Sequence, residues 1–459
     1  MFLVPDLNFD LLARYNVSGP RYTSYPTAPQ FTEKFTGPDL LEEIRRTHLE
    51  KNPPPLSLYY HLPFCKSVCF YCGCNVTFTR DRSRGNAYIE ALRQEMDLVM
   101  PYLKPRRPVV QLHWGGGTPT FCTPEQLSRL FGSIRERFEF APDAEIGVEV
   151  DPRETSPEHL QVLGSVGFNR LSVGIQDFDP KVQEAVNRLQ SEEATRATID
   201  EARKNGFQSV SVDLMYGLPL QTASTFATTL DRVLALDPDR LALFNFAYLP
   251  AQIRHQKAIR EADLPSPREK LAIFKLAVER LLGAGYAYIG MDHFAKPGDD
   301  LRLAQAAGKL HRNFQGYTTH AEADLYAFGV SSISSLGRVY AQNRKKVGEY
   351  MAEVEAGRLP VMRGLRLTDE DLLRRHVIMR LMCDFELDME RVEREFGIDF
   401  HEHFSPALET LKPMEEAGLL EILPSKITVR PTGRFLIRNI AMCFDAYLQG
   451  SAVQYSRTV

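Results

Sequence analysis

Apolar residues along the chain fall into two alternating periodicities. Short runs rich in β-branched, leucine and aromatic residues, ended by Gly, Pro or Asp, predict strands at 56–61, 109–114, 144–150, 170–175, 209–215, 240–247 and 286–291. Between them apolar positions recur three and four apart, predicting helices such as 87–103, 124–138, 180–205 and 269–284. Strand–helix alternation implies parallel pairing, and six or seven units in one run predict a full or partial β/α barrel over 56–295. An open doubly wound sheet is the alternative. Residues 20–31, PRYTSYPTAPQF, are aromatic and proline-rich, an ordered extended segment more than a linker. From about Gly364 the pattern changes to helices at 369–382, 389–396 and 406–417, a short hairpin at 419–429 and a final helix at 433–448. Helices followed by a hairpin resemble a winged helix. The chain therefore divides into an N-terminal extension (1–55), an α/β barrel core (56–295), a connecting segment (296–363) and a mainly helical, winged-helix-like C-terminal domain (364–459).

Composition narrows the function. The chain has 459 residues, 44% hydrophobic and 25% charged, the balance of a soluble globular protein large enough to bury a core unaided. Its 55 basic against 59 acidic residues leave a net charge of −4, which argues against a nucleic-acid-coating protein. DNA binding by the winged-helix-like region is therefore disfavoured against a packing or lid role. No apolar run reaches the roughly 18 residues of a membrane span. The N-terminus carries Asp6 and Asp10 and no basic stretch, unlike a secretory leader, so a cytoplasmic protein is expected.

Cysteine usage carries the first chemical signal. Of seven cysteines, four lie within ten residues: Cys65, Cys69, Cys72 and Cys74. Cys122, Cys383 and Cys443 are isolated and read as small buried hydrophobes. The spacing C-x3-C-x2-C falls in the loop after the first predicted strand. Three thiolates there can hold three irons of a [4Fe–4S] cubane and leave the fourth open to a small molecule. Zinc is the weaker alternative, because structural zinc sites pair two knuckles from separated segments. Cys74 is either a fourth ligand or a neighbouring thiol.

Other candidates sit where a barrel places its active site, at strand ends. Gly115–Gly116–Gly117–Thr118 closes the second strand; it is either a tight turn or a place where free N–H groups meet a ligand, and no lysine follows as in a phosphate loop. Glu149, Gln176 and Asp213 lie on successive strands, where carboxylates and an amide suit ribose hydroxyls and an ammonium group. Singly, each also suits a salt bridge or a helix cap. Arg188, placed in the helix after the fourth strand, can fork onto a carboxylate. His61, four residues before Cys65, either orients the loop, relays a proton or simply packs.

The cysteine spacing with Tyr71 before the third cysteine resembles the radical S-adenosylmethionine (SAM) superfamily. The longer string YYHLPFC…CFYCGC, with RYTSYPTA, HWGGGTPT, EVDPRE, GIQDF, DLMYGLP, HRNFQGYTT and RNIAMCFDAYL, resembles its oxygen-independent coproporphyrinogen III oxidase (dehydrogenase) family over nearly the whole chain. The resemblance implies a partial barrel, one [4Fe–4S] cluster on Cys65, Cys69 and Cys72, and two SAM molecules. It implies SAM contacts from Tyr59, Tyr71, Gly116, Gly117, Thr118, Glu149, Gln176, Arg188, Asp213, Ala247 and Ile333. The implied reaction is oxidative decarboxylation of two propionates of coproporphyrinogen III to vinyl groups, giving protoporphyrinogen IX in anaerobic haem (porphyrin) biosynthesis. A hydrogen-abstracting radical from reductive SAM cleavage starts it. Implied partners are the tetrapyrrole and a reductant protein such as flavodoxin or ferredoxin, with no nucleic acid, no membrane and a monomeric enzyme. A substrate with four carboxylates on an apolar macrocycle makes Arg21, Tyr22 and Arg312 candidate contacts, although a lone arginine is more often an ion-paired surface group. Cys74 and His61 stand as catalytic or loop-orienting residues. A related haem-binding chaperone keeps the three-cysteine loop, but the combination of Cys74, RYTSYPTA and HRNFQGYTT favours the enzyme.

Overall fold

The computed structural model describes residues 9–103, 107–448 and 455–458; Asp6, on which the argument against a leader leans, lies outside them. Six strands follow the apolar pattern: β1 Leu56–Leu62, β2 Val109–Gly116, β3 Phe140–Val150, β4 Arg170–Gln176, β5 Ser209–Tyr216 and β6 Arg240–Asn245. Each pairs in parallel with the next. Helices including Arg84–Val99, Pro124–Arg135, Pro157–Val166, Glu192–Lys204 and Ala223–Leu234 form the crossovers. Thr123, Ser191 and Thr222 start three of them by accepting a backbone N–H from the first turn.

Period two sorts every strand into two unlike faces. Leu112, Trp114, Val148, Val173 and Val212 point outward and are fully buried under the helices. Trp114 packs with its ring centroid 4.7 Å from that of Phe168. The opposite face carries Gln111, His113, Glu145, Glu149, Arg170, Ser172, Ser211 and Asp213, which line cavities. A closed barrel fills its interior with branched apolar side chains. A polar inner face leaves this one open and the barrel partial.

The seventh predicted strand departs from the parallel pattern. β7 (Ala287–Gly290) does not pair with β6; β8 (His293–Ala295) inserts antiparallel between them. Gly290 (φ +144°) and Met291 (φ +51°) turn the chain back at once, and this reversal closes the run. A hairpin of β9 (His311–Asn313) and β10 (Gly316–Thr318) follows. Then β11 (Asp324–Phe328) returns parallel to β1, and β12 (Ile333–Leu336), β13 (Val339–Asn343) and β14 (Val361–Arg366) continue antiparallel. The twelve-stranded sheet thus runs β14-β13-β12-β11-β1-β2-β3-β4-β5-β6-β8-β7.

Two helices are shorter than their periodicity suggests. The stretch 180–205 splits into Pro180–Ala185 and Glu192–Lys204, because Asn187 takes φ +55° and Ser191 caps a new helix. Arg188 therefore sits in the break, not in a helix. The final helix ends at Met442 after a 3-10 turn at Gly433–Leu436. Beyond it Phe444 is buried and Asp445 accepts hydrogen bonds from Tyr22 Oη (2.9 Å) and the Tyr447 N–H (2.8 Å).

The C-terminal region packs Asp369–Asp384, Met389–Phe396 and Ser405–Glu416 around a small antiparallel sheet of β15 (Glu386–Asp388), β16 (Leu420–Ile422) and β17 (Lys426–Val429), with β17 central. Residues 20–31 wedge between this region and the large sheet. The buried Arg438 donates to the Pro20 carbonyl at 2.9 Å and to the Gly19 carbonyl, and Phe31 stacks on Tyr340. Among the described residues no helix is long and apolar enough to cross a membrane.

Candidate active site

The C-terminal ends of β1 to β5 meet around an open cavity. The loop leaving β1 brings Cys65, Cys69 and Cys72 to its wall as free thiols. Backbone bonds hold this loop to the strand end: Thr77 N–H to Pro63 O (2.7 Å) and Thr79 N–H to Cys65 O (3.0 Å). His61 ties it further, with Nε2 2.9 Å from Asn75 O and Nδ1 3.1 Å from Tyr59 Oη. His255 Nε2 donates to Cys72 O at 2.6 Å. Phe70 and Tyr71 pack on a small apolar cluster of Val182, Val186, Leu218, Phe246 and Ile259, which fastens the loop to the β5–β6 end of the sheet.

The thiols sit in unlike fields. Burial, then the neighbouring Cys72 and Cys69, push Cys65 up to about 12. A hydrogen bond with Cys74 outweighs burial at Cys72 and brings it down to about 6. Cys69 receives Arg153 Nη2 at 3.2 Å and Arg188 Nη1 at 3.6 Å. Among the described residues no three His, Cys, Asp or Glu side chains are gathered as a single ion needs. Three thiols spread around one cavity, with two guanidinium groups on one sulfur, fit an anionic cubane in which three of the four irons each take a separate thiolate.

Asp151 joins the two arginines. Its Oδ2 accepts from Arg153 Nη2 (2.6 Å) and Arg188 Nη1 (2.9 Å). Burial alone would raise this carboxyl, but Arg188 and Arg153 hold it below the ordinary carboxylate range. Arg188 Nη2 donates to Gly174 O at 2.6 Å, while its buried Nε has no acceptor among the described residues. Glu149 is likewise kept low against burial, by His113 Nε2 (3.1 Å) and by the Gly116 N–H (3.3 Å). Burial and the Glu149 charge push Asp213 up to about 7.

The glycine turn does something other than offer free N–H groups. Gly116 N–H goes to Glu149, Gly117 N–H to Leu62 O (2.8 Å) and Thr118 N–H to Phe64 O (2.9 Å). The turn pins the thiol loop instead. Gly116 has φ +113°, and a Cβ there would lie 2.7 Å from the His61 ring. A Cβ on Gly117 would lie 2.7 Å from the Phe64 carbonyl oxygen, so the close approach of turn and loop requires both glycines.

The structure brings most sequence candidates together. Tyr71, Gly116, Gly117, Thr118, Glu149, Gln176, Arg188 and Asp213 line the thiol cavity with the exposed Cys74. Tyr59, Ala247 and Ile333 are half-buried and lie outside that lining. Tyr59 stacks on His113, Ala247 O accepts from Gln256 Nε2 (3.1 Å), and Ile333 packs near Phe31 and Tyr340. Arg21 is ion-paired with Asp292 and Tyr22 is spent on Asp445. Arg312 is 4% exposed, with its guanidinium 4.7 Å from the Tyr317 ring centroid. Of the isolated cysteines, Cys122 and Cys383 are buried and Cys443 is half-buried. Sequence reasoning missed Asp151, Arg153 and His113, although the strings EVDPRE and HWGGGTPT contain them. Alternation from Glu149 places Asp151 on the same face, which was the available signal.

Comparison with known proteins extends this picture to the whole chain. The radical SAM superfamily matches residues 59–233, and the family described as the HemN C-terminal domain matches residues 367–436. The oxygen-independent coproporphyrinogen III oxidase of Salmonella typhimurium is 48% identical over 456 residues, covering 99% of each chain. Those of Escherichia coli (47%, 99% of each chain) and Pseudomonas aeruginosa (46%, 98% of each chain) are similar to the same extent. The solved structure of the Escherichia coli coproporphyrinogen III oxidase, described as a radical SAM enzyme, aligns with a TM-score of 0.92 at 46% identity, over 97% of this chain and 100% of that one. Identity near one half along the full length, on one backbone and around one thiol cavity, leaves a single assignment: the chain belongs to the oxygen-independent coproporphyrinogen III oxidase family of the radical SAM superfamily.

Proposed function

We propose that the chain oxidatively decarboxylates two propionates of coproporphyrinogen III to vinyl groups, giving protoporphyrinogen IX in anaerobic porphyrin and haem biosynthesis. The observation that carries this reading is the thiol cavity, where Cys65, Cys69 and Cys72 face Glu149, Arg188 and Asp213 across the strand ends. Cys65, Cys69 and Cys72 would hold one [4Fe–4S] cluster beside two SAM molecules, and the cluster would supply the one-electron chemistry of reductive SAM cleavage.

The chain's own residues bind, orient and shield. Cys65, Cys69 and Cys72 hold the cluster, and Arg153 and Arg188 offset its negative charge. Arg188, which lines the cavity, would meet a carboxylate, while Glu149 and Asp213 suit ribose hydroxyls and an ammonium group. His61 acts by holding Asn75, and hence the loop. A reductant protein of the flavodoxin or ferredoxin kind serves a monomeric, cytoplasmic enzyme. The barrel core (56–295) carries the cluster, the extension (1–55) and connecting segment (296–363) complete the substrate site, and the C-terminal domain (364–459) braces them.

Anaerobic assay of the reconstituted protein with coproporphyrinogen III, SAM and reductant tests the reading. Protoporphyrinogen IX, carbon dioxide and 5′-deoxyadenosine are expected together. Haem transfer to an acceptor protein without carbon dioxide release would assign the chain to the chaperone branch.

A further inference from the structure

The surface around the thiol loop carries a charge unlike the rest of the chain. Three segments meet there: residues 80–84 (RDRSR) just beyond the loop, 254–257 (RHQK) in a turn after β6, and 344–346 (RKK) after β13. Contacts with the loop itself place them. Asn75 Nδ2 donates to Lys345 O at 3.0 Å, His255 Nε2 donates to Cys72 O, and the Phe78 ring centroid lies 6.2 Å from that of His255. Together the segments hold eight Lys or Arg and one acidic residue, in a chain whose acidic residues outnumber its basic ones. Surfaces normally intersperse the two signs, so a field of one sign serves to attract the opposite charge.

Few of these cations are spent inside the fold. Among the described residues Arg80, Arg254, Lys257 and Lys345 have no carboxylate at ion-pair distance, and all four are exposed. Partial burial and then the like charge of Arg363 lower Lys345 from the ordinary lysine value. In their midst the loop itself reaches the surface. Gly73 and Cys74 are exposed one and two residues beyond Cys72, and Phe78, 38% exposed, adds an aromatic contact. An aromatic spot inside a charged rim suits contact with another protein.

We propose that this rim is the docking surface for the acidic face of a one-electron carrier protein of the flavodoxin class, which delivers its electron through the Cys72–Cys74 stretch of the loop. The assignment rests on the function proposed above and deepens it. The anionic flavin hydroquinone loses one electron and becomes the neutral semiquinone; the oxidised cluster on Cys65, Cys69 and Cys72 gains that electron, no proton moves and no bond forms or breaks. The tetracarboxylate substrate is the less suitable occupant. Long, exposed side chains steer an encounter between proteins, whereas a small ligand is fixed by a few precisely placed groups in a concave site. Nucleic acid would meet the cations but brings no electron to the thiols.

The test uses full-length, cluster-loaded enzyme under anaerobic conditions with an acidic flavodoxin as the probe. Binding is measured by titration calorimetry, and SAM cleavage is driven either by reduced flavodoxin or by dithionite, which needs no docking surface. Wild-type binding should weaken as salt rises from about 50 to about 300 mM. Arg80→Glu, Lys257→Glu and Lys345→Glu combined should weaken it by about tenfold or more, and flavodoxin-driven cleavage with it, while iron content and dithionite-driven cleavage hold. Lys204→Glu, Lys412→Glu and Lys426→Glu combined change the net charge equally on other segments and should leave binding as it is. Unchanged binding by the rim variant, an equal loss in the second variant, or a wild type that binds no flavodoxin overturns the proposal. So does an equal fall in dithionite-driven cleavage, which would turn the rim toward SAM or the tetracarboxylate, and so does tighter binding of duplex DNA than of flavodoxin. A wild type that releases no carbon dioxide from coproporphyrinogen III with dithionite overturns the coproporphyrinogen reading and this proposal with it, a result told apart by needing no variant.

Discussion

At the residue scale the four clustered cysteines are not equivalent. Anaerobically prepared protein should hold about four irons and four labile sulfides per chain, as one cubane requires. Substituting Cys65, Cys69 or Cys72 by Ser should abolish the cluster. Cys74→Ser should retain most iron by chemical analysis, since three thiolates suffice, while turnover falls because Cys74 lines the same cavity beside Cys72. Iron loss as deep as in Cys69→Ser would make Cys74 a fourth ligand and close the open iron. Arg312 offers a second residue-scale test. If it fixes a propionate, Arg312→Ala should still permit SAM cleavage but uncouple it, raising the ratio of 5′-deoxyadenosine to carbon dioxide. Misplacement by about 1 Å can cost on the order of a hundredfold in rate. Lysine should rescue only in part, because it lacks the planar fork. Wild-type coupling in the alanine variant removes Arg312 from the substrate site.

At the element scale the helix Arg84–Val99 is tied to the far edge of the sheet through one buried carboxyl. Glu95 accepts from Gly329 N–H (2.8 Å), Asn343 Nδ2 (2.6 Å) and Tyr350 Oη (2.6 Å). Burial outweighs these bonds and pushes it up to about 7. A carboxyl raised in the folded state binds its proton there while the unfolded chain has lost it. Stability therefore falls as pH rises from about 4.5 to 7, by on the order of 3 kcal/mol, and levels off above. Glu95→Gln should remove this slope, so that the wild-type Tm drops relative to the variant between pH 5 and 8; parallel curves would refute it. The glycine turn at the end of β2 gives another test. Gly116→Ala forces a side chain into positive φ and against His61, a strain of about 1–3 kcal/mol that loosens the loop. Reduced iron loading with every cysteine intact is the expected readout.

On the scale of the whole molecule, residues 20–31 join sheet and C-terminal region into one body. Arg438 satisfies carbonyls of Pro20 and Gly19 from a buried position, and Tyr25 Oη accepts the Ala446 N–H at 3.1 Å. Arg438→Met leaves these carbonyls unpaired and should cost about 2–4 kcal/mol. Faster protease cleavage near residues 20–31 at unchanged iron content would locate the loss at this clamp. A variant as protease-resistant as the wild type would show that the aromatic packing of Tyr22, Tyr25 and Phe31 holds the segment alone.

The chemistry and the parallel core were legible in the chain because both are local. Three cysteines in one short loop need no distant partner to announce a cluster, and period-two strands between helices permit little besides parallel pairing. The same alternation carried the open interior, since Gln111, Glu145, Arg170 and Asp213 all fall on the face opposite the apolar one. What escaped is what depends on contacts far apart in sequence. The return of β11 beside β1 joins residues 324–328 to 56–60, which no periodicity encodes. The insertion of β8 rests on two positive φ angles at Gly290 and Met291. For the glycine turn the sequence leaves a tight turn and a set of free N–H groups as alternatives, and only the fold brings Leu62, Phe64 and Glu149 to accept those N–H groups. Arg21 and Arg312 look alike in sequence; only folding supplies Asp292 to the first and buries the second with no ion-paired carboxylate among the described residues. Local pattern determines which residues face inward, and tertiary structure decides which partner each of their charges meets, because those partners come from segments far apart in sequence.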